Sequence, residues 1–317
     1  MSQGMRSLII MLFACAVFSL NAQNYENKVH IAEKPVVVTS VKNIGGFWGT
    51  RLDLNRNNYL KKFPIDQYVD FIEKREHTGW DWRQAEQHGK WIESAYLSAI
   101  QSGDSDLLDE VETVLKRIIA SQEEGGYVGA TARSYRTPEK PLRGMDAYEL
   151  YFVFHAFITV YEETQNEEVL CAAEKLADYI LRYIGPGKAE FWPSDLRYPE
   201  NLKQQVKSKH SLLAGHSVHY SWEGTLLADP VLRLYQNTGK GEYLEWGKWV
   251  IANIDRWSGW NAFSNLDLVA EGKMGVHELQ PYVHSHTFHM NFMGFLRLYC
   301  ITGDVTLLNK VKGAWEI

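Results

Sequence analysis

The chain has 317 residues, of which 45% are hydrophobic and 23% charged, and its formal net charge is −6. This hydrophobic fraction is enough for a large core, and the charged fraction is too low for a disordered polyelectrolyte. No run of Lys or Arg supplies the basic face that a nucleic-acid binder needs, so that class of protein is excluded. The 11 Trp and 17 Tyr suit either a surface that stacks on sugars or a helix-rich core.

The first 22 residues have the pattern of a signal peptide. Arg6 precedes an apolar run at 8–20, which is shorter than the about 20 apolar residues of a membrane span. We therefore predict an exported protein, periplasmic or secreted, without a membrane span. Lipoprotein processing at Cys15 is the less favoured alternative, because Phe13 is bulky for such a site and the apolar run continues beyond Cys15.

Residues 23–46 are predicted to form an N-terminal extension. The run Val-Val-Val-Thr-Ser-Val at 36–41 is rich in β-branched residues, which predicts one short strand. Beyond the extension, helical periodicity interrupted by Gly, Pro and Asn dominates the chain. No linker or low-complexity segment divides residues 47–317, so we predict that they form a single domain.

A helical-hairpin signature recurs every 62 to 74 residues in this domain. In each copy a helix ends at a turn residue, a polar residue follows, and an apolar pair begins the packing face of a second helix. The four turn residues are Gly103, Gln165, Gly239 and Gly303. Because common helical solenoid repeats are shorter, about 34–47 residues, this period predicts an all-α fold of the α/α-toroid type. A closed ring of six hairpins needs twelve helices, whereas the sequence predicts about nine, so the ring is expected to be incomplete.

Two of the four segments that concentrate chemically useful residues lie in the first half of the domain. The segment 79–93 combines acids, tryptophans and a histidine, which suits either a sugar subsite or a loop under a helix start with Trp91 in the core. The segment 145–155 places Tyr148 and His155 on one face of a helix. We predict that His155 is a hydrogen-bonded core histidine.

The other two segments lie in the second half. At 215–224, Glu223 beside Trp222 is either an acid with a raised pKa or, as we favour, a first-turn acid that complements a helix dipole. At 284–289, three histidines suit a metal site or, as we favour, recognition of sugar hydroxyls, since no His-Glu-x-x-His motif accompanies them.

Several other kinds of site have no motif in this sequence. A Walker loop, a dinucleotide-binding glycine pattern, a Gly-x-Ser-x-Gly elbow and a Cys-x-x-Cys pair are all missing. Beyond the predicted signal peptide, Cys171 and Cys300 are too few for a disulfide framework. We predict that both are small buried residues on helices.

Five short motifs occur in an order that resembles a known family. They are Gly-Phe-Trp-Gly-Thr-Arg at 46–51, Gly-Lys-Trp-Ile-Glu at 89–93, Gln-Glu-Glu-Gly-Gly-Tyr at 122–127, Glu-Leu-Tyr at 149–151 and Asp-Pro-Val-Leu-Arg-Leu-Tyr at 229–235. From about Phe47 to its end, the chain is similar to glycoside hydrolase family 127. This family comprises the β-L-arabinofuranosidases and relatives that debranch plant polysaccharides.

The resemblance implies an α/α toroid followed by β-sandwich modules, with a zinc-bound cysteine as nucleophile and a glutamate as acid/base. It places those residues after the hairpin that ends at Ile317, so the catalytic residues and zinc ligands are expected beyond Ile317. No metal site is expected within this chain, which is expected to be inactive by itself. What the resemblance implies here is a sugar-binding wall around one cleft. Its residues are Trp91, Tyr148, Glu149, Glu223 and His284, and Tyr148 stands where the family has a histidine.

Three functions remain open at this point. The first is an exported glycosidase that acts on an oligo- or polysaccharide containing L-arabinofuranose or a related sugar. The second is a non-catalytic carbohydrate-binding toroid. The third is another α-toroid enzyme, an unsaturated-uronyl hydrolase or polysaccharide lyase, that uses Asp81, Asp146 or Glu223.

Overall fold

A computed structural model gives the fold of the chain. The residues that it describes are 29–32, 41, 44–77, 86–138, 141–142, 146–188, 224–255, 263–275, 278 and 285–315. The predicted signal peptide and, apart from Val41, the predicted strand at 36–41 lie outside these residues. The domain boundaries at residues 22 and 46 therefore stay predictions.

The described residues form eleven α-helices. In chain order they are α1 Gly46–Asn58, α2 Ile65–Lys74, α3 Glu86–Ser102, α4 Ser105–Ala120, α5 Asp146–Thr164, α6 Glu167–Tyr183, α7 Ala228–Thr238, α8 Gly241–Ala252, α9 Leu266–Ala270, α10 Ser285–Thr302 and α11 Val305–Trp315. Extended pairing within the described part is limited to an isolated parallel bridge between His77 and Thr131. The predicted all-α class is confirmed. None of the helices within these residues is long and apolar enough to cross a membrane.

Four tight turns join the helices into hairpins, at the positions that the sequence signature predicts. Gly103, Gly239 and Gly303 have φ angles of 74°, 75° and 74°, and Gln165 adopts the same left-handed conformation with a φ of 54°. A left-handed residue ends a helix by turning the chain away from it, and glycine does so without a Cβ penalty. The hairpins are α3–α4, α5–α6, α7–α8 and α10–α11.

The hairpins stand side by side and form two layers. The first helix of each hairpin packs on the first helix of the next, in the order α3, α5, α7 and α10, and these form the inner layer. The second helix of each hairpin packs on its own first helix and belongs to the outer layer. The apolar residues of both layers belong to one continuous buried cluster. Nearly every residue of α5 between Asp146 and Tyr161 is buried, whereas α4 and α6 keep one polar face. The arrangement is an arc of inner helices lined by outer helices, as in an α/α toroid.

A short N-terminal segment lies across two of the turns. Val29 contacts the position that a Cβ of Gly239 would occupy, at 3.5 Å, and Ala32 does the same at Gly303, at 3.2 Å. Ile31 between them is buried. Residues 29–32 therefore pack on the turn end of the third and fourth hairpins.

Candidate functional site

The inner helices begin at one end of the arc. Because each inner helix is followed by a tight turn and by an outer helix that packs back on it, α3, α5, α7 and α10 run in the same direction, so their N-terminal ends lie at one end of the arc. Contacts between the first turns agree with this, since Lys90 of α3 and His286 of α10 both approach Tyr148 of α5. Loops gathered at one end of a rigid scaffold are a common place for binding sites. We refer to this end as the mouth.

Tyr148 lies at the centre of a polar and aromatic cluster in the mouth. Its ring is perpendicular to that of Phe152, with centroids 5.1 Å apart, and 6.1 Å from the ring of His286. The Nζ atom of Lys90 lies 4.3 Å from the Phe152 ring centroid and 5.4 Å from that of Tyr148. Lys90 also forms an ion pair with Glu86, one turn earlier on α3, at 3.1 Å. Glu86, Lys90, Tyr148, Phe152 and His286 are the mouth cluster.

The mouth cluster has the chemistry to bind a polyhydroxylated ligand. The Lys90 side chain is about one third exposed and is held from two sides, by the Glu86 carboxylate and by the faces of two rings. An ammonium group donates up to three hydrogen bonds, and an imidazole both donates and accepts. His286 is exposed. Aromatic rings beside such groups offer the apolar surface against which the C–H face of a sugar packs.

The structure places three of the five predicted wall residues. Tyr148 belongs to the mouth cluster, and Glu149, the next residue of α5, is 4% exposed. Trp91 is 3% exposed, and its indole Nε1 donates a hydrogen bond to the Leu60 carbonyl at 2.9 Å. Trp91 thus packs in the core beside Leu60, which lies between α1 and α2. Tyr148 therefore lies in the mouth cluster, and its role in sugar binding stays a prediction.

The remaining two wall residues, Glu223 and His284, lie outside the described residues. Whether the five residues surround one cleft therefore stays a prediction. Of the acids considered for a lyase or uronyl hydrolase, Asp81 and Glu223 likewise fall outside the described residues.

Asp146, the third acid considered for such chemistry, is an anchor for the loop before α5. It is 2% exposed, and its Oδ1 accepts hydrogen bonds from the Tyr127 hydroxyl at 2.9 Å and from the Thr131 hydroxyl at 2.7 Å. Burial, with the Asp146 charge nearby, holds the pKa of Tyr127 well above its usual value, so the phenol remains a donor. Arg136 lies over the Tyr127 ring, 3.5 Å from its centroid. These contacts fix the loop that borders the mouth.

A second polar cluster crosses the four inner helices behind the mouth. His155 of α5 contacts Asp229 of α7 through Nε2 at 2.8 Å, and its Nδ1 lies 3.7 Å from Glu93 of α3. Arg297 of α10 donates from Nε to the other oxygen of Asp229 at 3.1 Å. His155 is 9% exposed. The prediction of a hydrogen-bonded core histidine is confirmed.

The same cluster extends along α5 and α7. Thr159 donates to Glu93 at 2.7 Å and accepts from Arg233 at 3.0 Å. Arg233 also forms a bidentate ion pair with Glu162, a geometry that suits the planar guanidinium group. We call this set the charge network. Its charged members are Glu93, His155, Glu162, Asp229, Arg233 and Arg297.

The charges of this network balance when His155 is protonated. Burial by itself lowers a histidine pKa, yet the hydrogen bonds and charges of Asp229 and Glu93 raise the pKa of His155 above its usual value. The pKa of Asp229 is held well below its usual value, against a large desolvation effect, by Arg297 and His155. Three cationic and three anionic side chains then neutralise one another in the interior.

The described residues do not fit a zinc site. Among them, no group of three or more His, Cys, Asp and Glu side chains is arranged to hold a metal ion. Cys171 and Cys300 are not joined to each other by a disulfide. The prediction that both are buried is wrong for Cys171, which is exposed because its position on α6 faces away from the inner layer. Cys300 is partly buried on α10.

Sequence reasoning did not single out Glu86 and Lys90 as an interacting pair, although Glu86 and His286 lie in segments that it did select. A signal for this pair was present, since Glu and Lys four residues apart on a helix form an ion pair. The partners of His155 carried no such signal, because Glu93 and Asp229 lie 62 and 74 positions away along the chain.

An arc of parallel inner helices with a polar and aromatic mouth at their N-terminal end defines an α/α-toroid protein. Residues 37–193 match the family model of the β-L-arabinofuranosidase GH127 catalytic domain. Residues 37–193, about half of the chain, are therefore identified with the catalytic domain of glycoside hydrolase family 127. No curated protein is similar enough in sequence to count as a relative of this chain.

Two of the solved structures that match this chain illustrate the shared fold. A GH127 β-arabinofuranosidase superposes with a TM-score of 0.58 at 20% identity, over 90% of this chain and 43% of that protein. A GH127 β-L-arabinofuranosidase from Geobacillus stearothermophilus T6 superposes with a TM-score of 0.54 at 15% identity, over 91% of this chain and 45% of that protein. The chain thus spans less than half the length of these structures. The likeness establishes the toroid fold.

Proposed function

We propose that the chain is the sugar-binding toroid of an exported glycoside hydrolase that acts on L-arabinofuranose-containing or related plant glycans. Family membership supports the reaction class, and the mouth cluster supports a carbohydrate ligand. The observation that carries the proposal is the position of Tyr148, whose ring lies 5.4 Å from the Lys90 ammonium and 6.1 Å from the His286 imidazole. Export, to the periplasm or the exterior, follows from the signal-peptide pattern of residues 1–22.

In this proposal the side chains of the mouth orient the sugar. Lys90 donates to ring or hydroxyl oxygens, and the Glu86 carboxylate keeps the ammonium group in place. Tyr148 supplies an apolar face, and its hydroxyl is a second hydrogen-bonding group. Glu149 and, from the family resemblance, Glu223 and His284 complete the wall. Zinc would supply an activated cysteine thiolate in the family reaction, and since the described residues do not fit it, no step of hydrolysis is assigned to them.

The test is sugar binding by the protein that begins at residue 23. Isothermal titration and saturation-transfer NMR with L-arabinose and with an aryl β-L-arabinofuranoside measure the affinity, with and without added Zn²⁺. Lys90→Met is expected to weaken binding by about ten- to a hundredfold, since a hydrogen bond to a charged group contributes about 1.5–3 kcal/mol and each factor of ten is about 1.4 kcal/mol. Lys116→Met is the matched control, because Lys116 is an exposed lysine on the outer helix α4.

The outcomes separate a sugar-binding toroid from the uronyl hydrolase or lyase alternative. Binding that depends on Lys90 supports the proposal, and hydrolysis of the aryl glycoside would extend it to catalysis by this chain alone. Binding without hydrolysis, even with Zn²⁺, would agree with a chain that needs residues beyond Ile317 or with a non-catalytic binding module. Turnover of an unsaturated uronide with no affinity for L-arabinose would contradict the proposal and favour the uronyl hydrolase or lyase alternative.

A further inference from the structure

A continuous row of aromatic rings connects the mouth to the charge network. Along α5, the ring of Tyr148 contacts that of Phe152 at 5.1 Å between centroids, and Phe152 contacts Tyr151 at 5.1 Å. Tyr151 in turn contacts the imidazole of His155 at 4.5 Å. Tyr148, Tyr151 and His155 are each less than 10% exposed. We call these four residues the ring ladder.

The two ends of the ring ladder have different surroundings. The Tyr148 end faces Lys90 and His286 in the mouth. The His155 end lies inside the protein, where the closest charged groups are the carboxylates of Glu93 and Asp229. Closely packed interiors transmit small displacements because side chains have few alternative positions. A change at one end therefore has a defined route to the other.

His155 faces carboxylates from two neighbouring helices, so its charge decides how many of these contacts it can keep. From α3 it faces Glu93, from its own helix Tyr151, and from α7 Asp229. The cations nearest to those carboxylates are Arg233 of α7 and Arg297 of α10. A protonated imidazole donates from both nitrogens and completes the charge balance of the network. A neutral imidazole donates from one nitrogen only, so one of its two carboxylate contacts is lost.

We propose that His155 is a positioning residue for the mouth: held as an imidazolium between Glu93 and Asp229, it fixes Tyr151 and, through Phe152, the ring of Tyr148. The inference rests on the proposed function in one respect, which is that Tyr148 contacts the sugar. His155 itself does not touch the ligand. Deprotonation loosens the ladder at its inner end and displaces Tyr148 in the mouth.

The first test uses the unaltered protein and needs no sugar. Ring carbons of histidine and tyrosine are labelled with ¹³C, and their NMR shifts are followed from pH 5.5 to 9.5. The expected result is that the Tyr148 signals shift with the same midpoint as those of His155, above the usual histidine value. Constant Tyr148 signals across the His155 transition would overturn the proposal.

The second test separates positioning from general stability. In Phe152→Leu the ladder is interrupted, so His155 is expected to titrate as before while Tyr148 no longer follows it. His155→Gln is expected to weaken L-arabinose binding about three- to tenfold, as for other residues that act through a network, and to remove the part of the pH dependence of binding that has the His155 midpoint. The control His30→Gln is expected to change neither the affinity for L-arabinose nor its pH dependence.

Each failure has its own signature. If the unaltered protein binds no L-arabinose, the proposed function fails, while the shared midpoint of Tyr148 and His155 still decides the positioning role. If His155→Gln binds the sugar with unchanged affinity and unchanged pH dependence, the positioning role is wrong although the sugar site stands. If His155→Gln does not fold, the NMR titration of the unaltered protein decides whether His155 positions Tyr148.

Discussion

Gly89 of α3 lies directly against the backbone of Val153 of α5. A Cβ atom at residue 89 would stand 2.5 Å from the Val153 nitrogen and 2.4 Å from the Phe152 carbonyl carbon. These two helices share the most extensive packing of any pair in the described part of the chain. Their close approach is what brings Lys90, one residue further along α3, onto the rings of Phe152 and Tyr148. Backbone atoms cannot move aside as a flexible side chain does, so the absence of a Cβ at residue 89 determines the spacing of the site.

We expect Gly89→Ala to destabilise the protein, although alanine has the higher helix propensity. Overpacking a core costs about 1–3 kcal/mol, and the new contacts here are with backbone. Urea denaturation measures the loss in the free energy of unfolding. Gly241→Ala is the control, because a Cβ at residue 241 meets nothing within 4 Å. Equal stability of Gly89→Ala and the unaltered protein would contradict the close approach.

At the left-handed turn residue Gln165, in contrast, we expect a substitution to stabilise the protein. Its φ angle is 54°, which costs a non-glycine residue about 1 kcal/mol or more. Its Nε2 donates to the Tyr161 carbonyl at 3.2 Å, and this bond offsets part of the cost. We therefore expect Gln165→Gly to raise the free energy of unfolding by somewhat less than about 1 kcal/mol. The reverse change at an equivalent turn, Gly103→Ala, should lower it, since φ at residue 103 is 74° with open space around the Cβ position.

The charge network predicts a stability maximum between acid and alkaline pH. The pKa of His155 is raised, so its contribution is complete below the usual histidine value of 6.5 and is lost as the pH rises through the raised pKa. The pKa values of Asp229 and Glu93 are lowered from 3.8 and 4.5, so their contributions are complete above these values and are lost on acidification. Urea midpoints at a series of pH values measure the profile.

The control for this profile is His155→Gln, which removes the group that titrates at the alkaline side. Its stability should be lower near pH 6 and should no longer decline in the alkaline range because of residue 155. A decline of the same size in His155→Gln as in the unaltered protein would assign the alkaline loss to other groups.

Trp91 is expected to affect stability more than sugar binding. Its indole donates to the Leu60 carbonyl and is almost fully buried. Trp91→Phe leaves that buried acceptor without its donor, which costs about 1–3 kcal/mol. Thermal unfolding measures this loss, and titration with L-arabinose measures the affinity, which we expect to remain within about twofold of the unaltered protein. A large loss of affinity in a folded Trp91→Phe protein would show that the indole belongs to the sugar-binding wall.

The four hairpins could be predicted from the sequence by itself. The hairpin signature is local in sequence. It consists of a residue that can adopt the left-handed conformation, a polar helix cap after it and an apolar pair further on, all within about ten residues. Gly103 and Gly239 show this for glycine turns, and Gln165 shows that the surrounding pattern holds even when glycine is replaced. The family could be recognised for a related reason, since its motifs lie at helix starts and turns, where local sequence is most constrained.

Only the tertiary structure decided which side chains meet. Glu86 and Lys90 pair within one helix, but their contact with Tyr148 depends on how closely α3 and α5 approach, and this is governed by Gly89. The charge of His155 depends on carboxylates contributed by two other helices, and Trp91 and Lys90, adjacent in sequence, face the core and the mouth respectively. Local sequence determines where a helix begins and ends, because capping and turn formation involve neighbouring residues. The rotation and separation of packed helices arise from the fit of whole surfaces, and the pKa values and the binding site follow from that fit.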